Sequence, residues 1–128
     1  MTPTELKART KKFAVDVVDL CRELPPTFDG RELGRQLLRA ATSVAGNYRA
    51  TCRARSRAEF IAKLGTVLEE SDEALFWLEL IVDTKTKPSA RVQRLMNEAD
   101  QLTAIFAASL KTARAGGDQS KINLRSNI

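Results

Sequence analysis

A helix-start signal occurs three times along this chain, and it limits the possible folds more than any other feature. Each signal is a capping residue followed three positions later by glutamate: Thr2 and Glu5, Asp29 and Glu32, Ser56 and Glu59. In such a capping box the first side chain accepts a hydrogen bond from a backbone N–H of the first helical turn, and the glutamate bonds back to the cap. A fourth helix is predicted to start at Pro88, because proline suits the first helical position.

Apolar residues follow each start at spacings of three and four, which is typical of one buried helix face. The four stripes span residues 6–24, 33–52, 60–82 and 92–110. Pro25-Pro26 ends the first helix, the third is expected to end near Asp83, and no segment alternates with period two. The pattern predicts an all-α, up-down-up-down antiparallel four-helix bundle over residues 1–114 and a flexible polar C-terminal tail over 115–128. Gly34 and Gly46, among the alanines of helix two, predict close backbone contact with a neighbour.

The residues of common enzyme sites are missing from the sequence. There is no histidine, the commonest general base and transition-metal ligand, and no phosphate-binding glycine loop or Cys-x-x-Cys pair. Di-iron bundles use Glu-x-x-His ligands, so an acidic cluster in helix three is interpreted as a solvated or ion-paired face: Glu69, Glu70, Asp72 and Glu73. We therefore expect no catalytic residue, metal, cofactor or small-molecule substrate, and no enzymatic activity.

Cysteine usage and hydropathy indicate the compartment. Cys21 and Cys52 lack the spacing of a disulfide framework and are interpreted as buried free thiols. The chain has no signal peptide and no apolar run near the roughly 20 residues that a membrane span requires. We expect a reduced, cytoplasmic protein without a membrane partner.

The net charge of +5 conceals three blocks of charge along the chain. Residues 30–57 hold seven arginines and one acid, residues 58–83 hold seven acids and one lysine, and residues 84–128 are again basic. The arginines fall near one side of helix two and the following turn: Arg31, Arg35, Arg39, Arg49, Arg53, Arg55 and Arg57. They predict a phosphate-binding surface for RNA or DNA, or else a solvated face that pairs with nearby carboxylates. Only Tyr48 accompanies them, so sequence-specific base recognition is not expected.

Helix three has the opposite charge and an apolar run that continues around the helix. Leu75-Phe76-Trp77-Leu78 covers more of the circumference than one core stripe needs, and acids surround it, Glu69 and Glu73 among them. A helix that is apolar on more than one side usually has more than one partner. We therefore predict an oligomer interface of Phe76 and Trp77, rimmed by these acids and docking on the helix-two arginines of another subunit. The alternative is an ordinary wide core face with one exposed aromatic.

Several segments resemble the bacterial four-helix bundle protein family, also called intervening-sequence proteins because some members are encoded inside insertions in large-subunit ribosomal RNA genes. The similar segments are QLLRAATSV at 36–44, Asn47, RSRAEF at 55–60, Leu64-Gly65 and Glu69-Glu70, and the resemblance covers most of residues 5–113. Family positions are matched by Arg39, Ser43, Asn47, Arg55, Ser56, Glu59 and Phe60. The usual Pro-Ala-Asn reads Ala45-Gly46-Asn47 here, and the usual acidic-Gly pair reads Ala50-Thr51. The missing proline predicts a more continuous helix two.

The resemblance implies a homopentamer of four-helix protomers without an established enzymatic activity. Related bundles are accessory proteins of reverse transcriptases in diversity-generating retroelements, where a basic surface contacts nucleic acid. Two hypotheses follow for this chain. It is a homo-oligomeric, pentameric scaffold or accessory protein that binds RNA, DNA or a reverse-transcriptase-like enzyme through its arginine-rich face. Alternatively, it is an assembly module whose charged faces bind only protein.

Overall fold

Four long α-helices form the protein in the computed structural model, which describes residues 1–87 and 89–116. They are α1 (Pro3–Glu23), α2 (Phe28–Thr51), α3 (Arg57–Asp83) and α4 (Ala90–Ala115). Each helix packs against the next along the chain, most extensively α2 against α3, and α1 closes the bundle on α4 through its sparsest interface. No strand occurs in the described ranges. The predicted all-α, up-down-up-down antiparallel four-helix bundle is confirmed.

Side-chain caps begin all four helices, although two of the predicted starts are shifted. Thr2 and Glu5 form the predicted reciprocal box. At Ser56 only half of the predicted box is present: its side chain accepts from the Glu59 N–H at 3.1 Å, without a return bond to the Glu59 carboxylate among the described residues. The predicted Asp29 cap is wrong: Thr27 caps α2 by accepting from the Gly30 N–H.

Helix α4 also begins later than predicted. It starts at Ala90 behind a Ser89 cap, two residues after the predicted start at Pro88, which lies outside the described residues. The predicted polar tail falls mostly on residues 117–128, which are also outside them, while Ala115 still belongs to α4 and Gly116 is its C-cap. Helix α3 ends at Asp83 as predicted.

The core forms where the apolar stripes of the four helices face one another. Its largest fully buried side chains come from all four helices: Leu6, Phe13, Tyr48, Phe60 and Phe106. Helix α2 contributes Ala40 and Ala41, whose small side chains allow the close packing with neighbouring helices that the sequence predicts. It runs unbroken to Thr51, as the missing proline predicts.

The two helix-two glycines differ in their surroundings. A Cβ on Gly34 would lie 2.9 Å from Cδ1 of Leu24, which confirms a close neighbour there, although the neighbour is a side chain rather than backbone. At Gly46, no described residue outside the adjoining turns of α2 places an atom within 4 Å of the corresponding position. The predicted close contact at Gly46 is therefore wrong within a single protomer.

Candidate functional site

The arginines in the N-terminal half of α2 are already engaged within the protomer. Arg31 donates to the Pro26 carbonyl at 2.6 Å. Arg35 forms a pair with Glu32, one helical turn earlier, at 2.7 Å. Both side chains are exposed, but their donors are partly used by groups of the same chain.

Arg39 joins α2 to α3. Its guanidinium contacts Glu70 at 3.0 Å and Glu73 at 2.5 Å. The hydrogen bond from Arg39, and a second one from the indole N–H of Trp77, hold the pKa of Glu73 below its usual range. These two acids of the predicted acidic cluster therefore neutralise an arginine of the predicted basic face, as the paired-face interpretation expects.

Arg57 serves the end of α4. Its Nη2 donates to the carbonyls of Ala113 and Arg114, and its Nε has no hydrogen-bond partner within the described residues. Carbonyls at a helix C-terminus lack intrahelical donors and carry partial negative charge. Arg57 therefore links the start of α3 to the end of α4, and only some of its N–H donors are left for an anion outside the protomer.

Three of the seven predicted arginines, Arg49, Arg53 and Arg55, make neither a side-chain hydrogen bond nor an ion pair within the described residues. Within residues 1–87 and 89–116 none of them makes an ion pair, and all three are exposed. They line a groove of about 640 Å³ between α2 and α3, together with Lys63 and a single acid, Glu59. We call this the α2–α3 groove. Four cations and one carboxylate leave it strongly positive.

A second depression, the α1–α2 cleft, adjoins this groove and shares Gly46, Arg49 and Arg53 with it. It measures about 450 Å³. Its floor is formed by small residues, Ala8 and Ala45 beside Gly46, and its rim carries the two arginines and two lysines of α1, Lys7 and Lys11.

Sequence reasoning missed the lysines at both depressions, because it counted arginines along one helix. A signal was available in the four-residue spacing of Lys7 and Lys11, which places both on one side of α1. The contribution of Lys63 follows only from the packing of α3 beside the end of α2.

Among the described residues that line the two basic depressions there is no aromatic ring. Tyr48, the aromatic expected beside the arginines, is completely buried and packs on Phe106 with ring centroids 5.7 Å apart. Its hydroxyl has no partner among the described residues, and burial raises its pKa. The basic surface therefore offers cations and small side chains but no platform for stacking bases.

The predicted interface residues of α3 lie in two different environments. Phe76 is 51% exposed and packs edge-on against Trp77, with ring centroids 5.0 Å apart. Trp77 is half-buried, donates its indole N–H to Glu73, and packs against the core of the protomer. Glu69 is exposed and has no ion-pair partner in the part of the chain that the structure describes.

The remaining candidate chemistry is sparse. Cys21 is a free, half-buried thiol 3.4 Å from the Gly34 carbonyl, and burial raises its pKa to about 11. Cys52 is also free and half-buried. Among the described residues, acids and cysteines form no cluster suited to a metal ion, and no helix there is long and apolar enough to span a bilayer.

Comparison with known proteins places these features in context. The family model described as 23S rRNA-intervening sequence protein matches residues 4–108. A crystal structure at 1.70 Å of a protein with unknown function from the S23 ribosomal protein family of Bacteroides thetaiotaomicron VPI-5482 superposes with a TM-score of 0.79. The two chains are 30% identical, and the match covers 88% of this chain and 100% of that one. No curated protein matches the sequence.

Proposed function

Since this chain belongs to the family of 23S rRNA-intervening sequence proteins, we propose that it is a non-enzymatic, homo-oligomeric helical accessory protein that binds nucleic acid at the α2–α3 groove. The resemblance to related bundles makes a pentamer the expected assembly. One observation supports the nucleic-acid site above all others. The arginines of N-terminal α2 have partners inside the protomer, whereas Arg49, Arg53 and Arg55 have no carboxylate partner within the described residues.

The ligand class follows from the composition of the groove. Guanidinium groups bind phosphate oxygens through parallel N–H donors, and a lysine ammonium adds a point charge. Ala50 and Ala62 lie between the cations, so a backbone phosphate can approach closely. Without an exposed aromatic in the groove, stacking of unpaired bases contributes little. The proposed ligand is therefore the sugar-phosphate backbone of a structured RNA or DNA, and binding should not depend on the base sequence.

A fluorescence-anisotropy titration of a labelled RNA hairpin against the full chain tests this function. With four phosphate contacts, raising the salt from about 50 to about 200 mM should weaken binding by about 100-fold, because counterion release dominates such affinity. The double variant Arg53→Glu, Arg55→Glu should bind at least ~10-fold more weakly and show a shallower salt dependence.

The matched control is the double variant Arg31→Glu, Arg35→Glu. It changes the net charge by the same amount, but at residues of N-terminal α2 that have partners within the protomer, whereas Arg53 and Arg55 lie in the turn after α2. The part of α2 between Arg35 and the helix end at Thr51 is about 24 Å long, well beyond a screening length of about 8 Å. The control should therefore bind nearly as well as the wild type. Equal losses in both double variants would mean that net charge alone, rather than the α2–α3 groove, sets the affinity.

A second candidate function is an assembly module that binds no nucleic acid. The exposed Phe76, with unpaired acids beside it, favours this alternative because it offers a protein-binding surface of opposite charge. Absence of hairpin binding at about 0.15 M salt, in a preparation that still self-associates, would leave the assembly module as the function. A nucleic-acid enzyme such as a reverse transcriptase would be the partner to test next.

A further inference from the structure

We propose that Phe76 of one copy inserts into the α1–α2 cleft of a second copy and packs over Gly46. This inference rests on the homo-oligomeric part of the proposed function and names the two surfaces that make the contact. It assigns the cleft to self-assembly; Gly46, Arg49 and Arg53 line both depressions, so the part of the α2–α3 groove left to nucleic acid alone is the one with Arg55 and Lys63.

The projecting surface lies on the outer face of α3. Half of the Phe76 side chain is exposed, and its ring packs against Trp77, whose indole N–H is fixed by Glu73 at 3.2 Å. This support holds the ring in position, so little side-chain entropy remains to be lost on docking. Four exposed acids share the outer face of α3 and make no ion pair within the described residues: Glu69, Asp72, Glu79 and Asp83.

The receiving surface has the opposite character. Gly46 lies in the interior of α2, where glycine costs about 1 kcal/mol relative to alanine. Nothing within the protomer requires it, since the space where its Cβ would stand is open. Together with Ala8 and Ala45 it forms an apolar floor, and cations on α1 and α2 surround that floor. An aromatic side chain placed there would bury apolar surface on both partners, at about 25 cal/mol per Å².

Charge determines which surfaces can pair. Two α3 outer faces would bring acids against acids, and two α1–α2 clefts would bring cations against cations, so both self-pairings are repulsive. The acidic surface around Phe76 and the basic cleft around Gly46 are opposite in charge, and the small residues of the cleft leave room for an aromatic side chain. The favoured partner of each surface is therefore the other surface of a second copy.

Complementation between two variants tests this pairing by light scattering behind a sizing column. Phe76→Glu removes the projecting ring but keeps the cleft, whereas Gly46→Leu fills the cleft but keeps the ring. Both substitutions are at solvent-facing helical positions, and leucine favours helix over glycine, so folding should be preserved and is checked by thermal unfolding. Each variant alone should elute as a 14.2 kDa monomer. Their equimolar mixture should form a species of twice that mass, because one complete ring-cleft pair is restored.

Matched controls are Phe28→Glu, a substitution of a more exposed aromatic at the start of α2, and Gly65→Leu, at a helical glycine with open space on α3. Both should assemble like the wild type. Oligomers that persist in Phe76→Glu or Gly46→Leu would overturn the pairing, as would a mixture that stays monomeric. Failure of the proposed function looks different: a monomeric wild type would refute the homo-oligomer, and an Arg53→Glu, Arg55→Glu variant that binds RNA as tightly as the wild type would refute the groove.

Discussion

At the scale of single residues, the end of α3 contains the one non-glycine residue with positive φ among those described. Lys85 has φ 57° and lies just beyond the Thr84 C-cap. The backbone N–H of Lys85 donates a hydrogen bond to the Val82 carbonyl, and the backbone N–H of Thr86 donates one to the Ile81 carbonyl. These are the two hydrogen bonds of a Schellman motif. Glycine usually occupies this position because it has no Cβ to clash in the left-handed conformation.

Lys85→Gly should therefore stabilise the protein. Relief of the left-handed strain is expected to raise the free energy of unfolding by about 1 kcal/mol, less the greater chain entropy that glycine gives the unfolded state. Urea unfolding, monitored by circular dichroism, measures this change in the free energy of unfolding. The control Thr84→Gly, at an ordinary right-handed φ of −86°, should destabilise instead. A loss of stability in both variants would contradict the proposed role of backbone strain.

Two helical glycines should respond in opposite directions to the same substitution. A Cβ on Gly30 would stand 2.2 Å from the Pro25 carbonyl oxygen, whereas the space at Gly65 is open. We expect Gly30→Ala to cost about 2 kcal/mol through overpacking against backbone. Gly65→Ala should add about 0.5–1 kcal/mol through the higher helix propensity of alanine. Urea unfolding measures both effects as shifts of the unfolding midpoint, provided that the dependence of the unfolding free energy on urea concentration is unchanged. Midpoints that shift in the same direction in both variants would refute the predicted difference between the two glycines.

Gly30 also explains why the start of α2 could not be located from the sequence. Both Thr27 and Asp29 are good caps, and the glutamate three residues after Asp29 favours Asp29. The helix begins after Thr27 because Gly30 then fits under the Pro25 carbonyl. That contact depends on how the chain turns after the double proline, which is not visible in local spacing.

At the scale of helices, Arg57 links the start of α3 to the end of α4, and its removal should affect only the last turn of α4. It donates to the carbonyls of Ala113 and Arg114 at the end of α4. Arg57→Ala should lower the free energy of unfolding by about 1–2 kcal/mol, because these carbonyls lose a charged donor. Amide hydrogen exchange should accelerate in the last turn of α4 and remain unchanged in α2.

Arg57→Lys provides the control for charge. Lysine keeps the positive charge but lacks the planar set of donors that reaches two carbonyls at once, so it should recover only part of the stability. Full recovery would show that the charge near the helix terminus suffices. An unchanged exchange rate in α4 for Arg57→Ala would contradict the link itself.

Helix spacing predicts which side of α2 the arginines occupy, but not which of them remain free. The difference between Arg39 and Arg49 lies in α3, which brings Glu70 and Glu73 beside the first and only Lys63 and Glu59 near the second. Pairing across helices depends on their relative axial position, and the sequence pattern does not define that position. For this reason helix spacing alone could not separate the arginines that pair within the protomer from those that do not, and that division required the structure.

At the scale of the whole molecule, antiparallel topology gathers the basic residues at one end. The starts of α1 and α3 and the ends of α2 and α4 meet there, and they bring together the lysines and arginines of both depressions. Short connections between four amphipathic helices made this topology predictable from the sequence. The clustering of charge is its direct consequence, since residues far apart in the chain become neighbours only when adjacent helices run in opposite directions.

The α1–α4 interface should be the first part of the bundle to open. It is the sparsest of the four, and a groove of about 470 Å³ lies along it. Much of its support comes from surface pairs, Arg9 with Glu98 at 2.7 Å and Arg91 with Glu23. Local opening requires the loss of few buried contacts there, whereas separation of α2 from α3 exposes the best-packed part of the core.

Native-state hydrogen exchange should therefore find α1 amides exchanging at least ~10-fold faster than the slowest amides of α2 and α3, a difference of about 1.4 kcal/mol in opening free energy. The measurement uses the Phe76→Glu background, so that self-association does not protect α1. Glu98→Gln should accelerate α1 further, because it weakens the two-pronged contact with Arg9. Glu32→Gln, which removes an exposed pair within α2, should leave α1 unchanged. If α1 and α3 exchange at one common rate, the bundle opens only as a whole and the ion pairs along the α1–α4 interface do not control a separate unit.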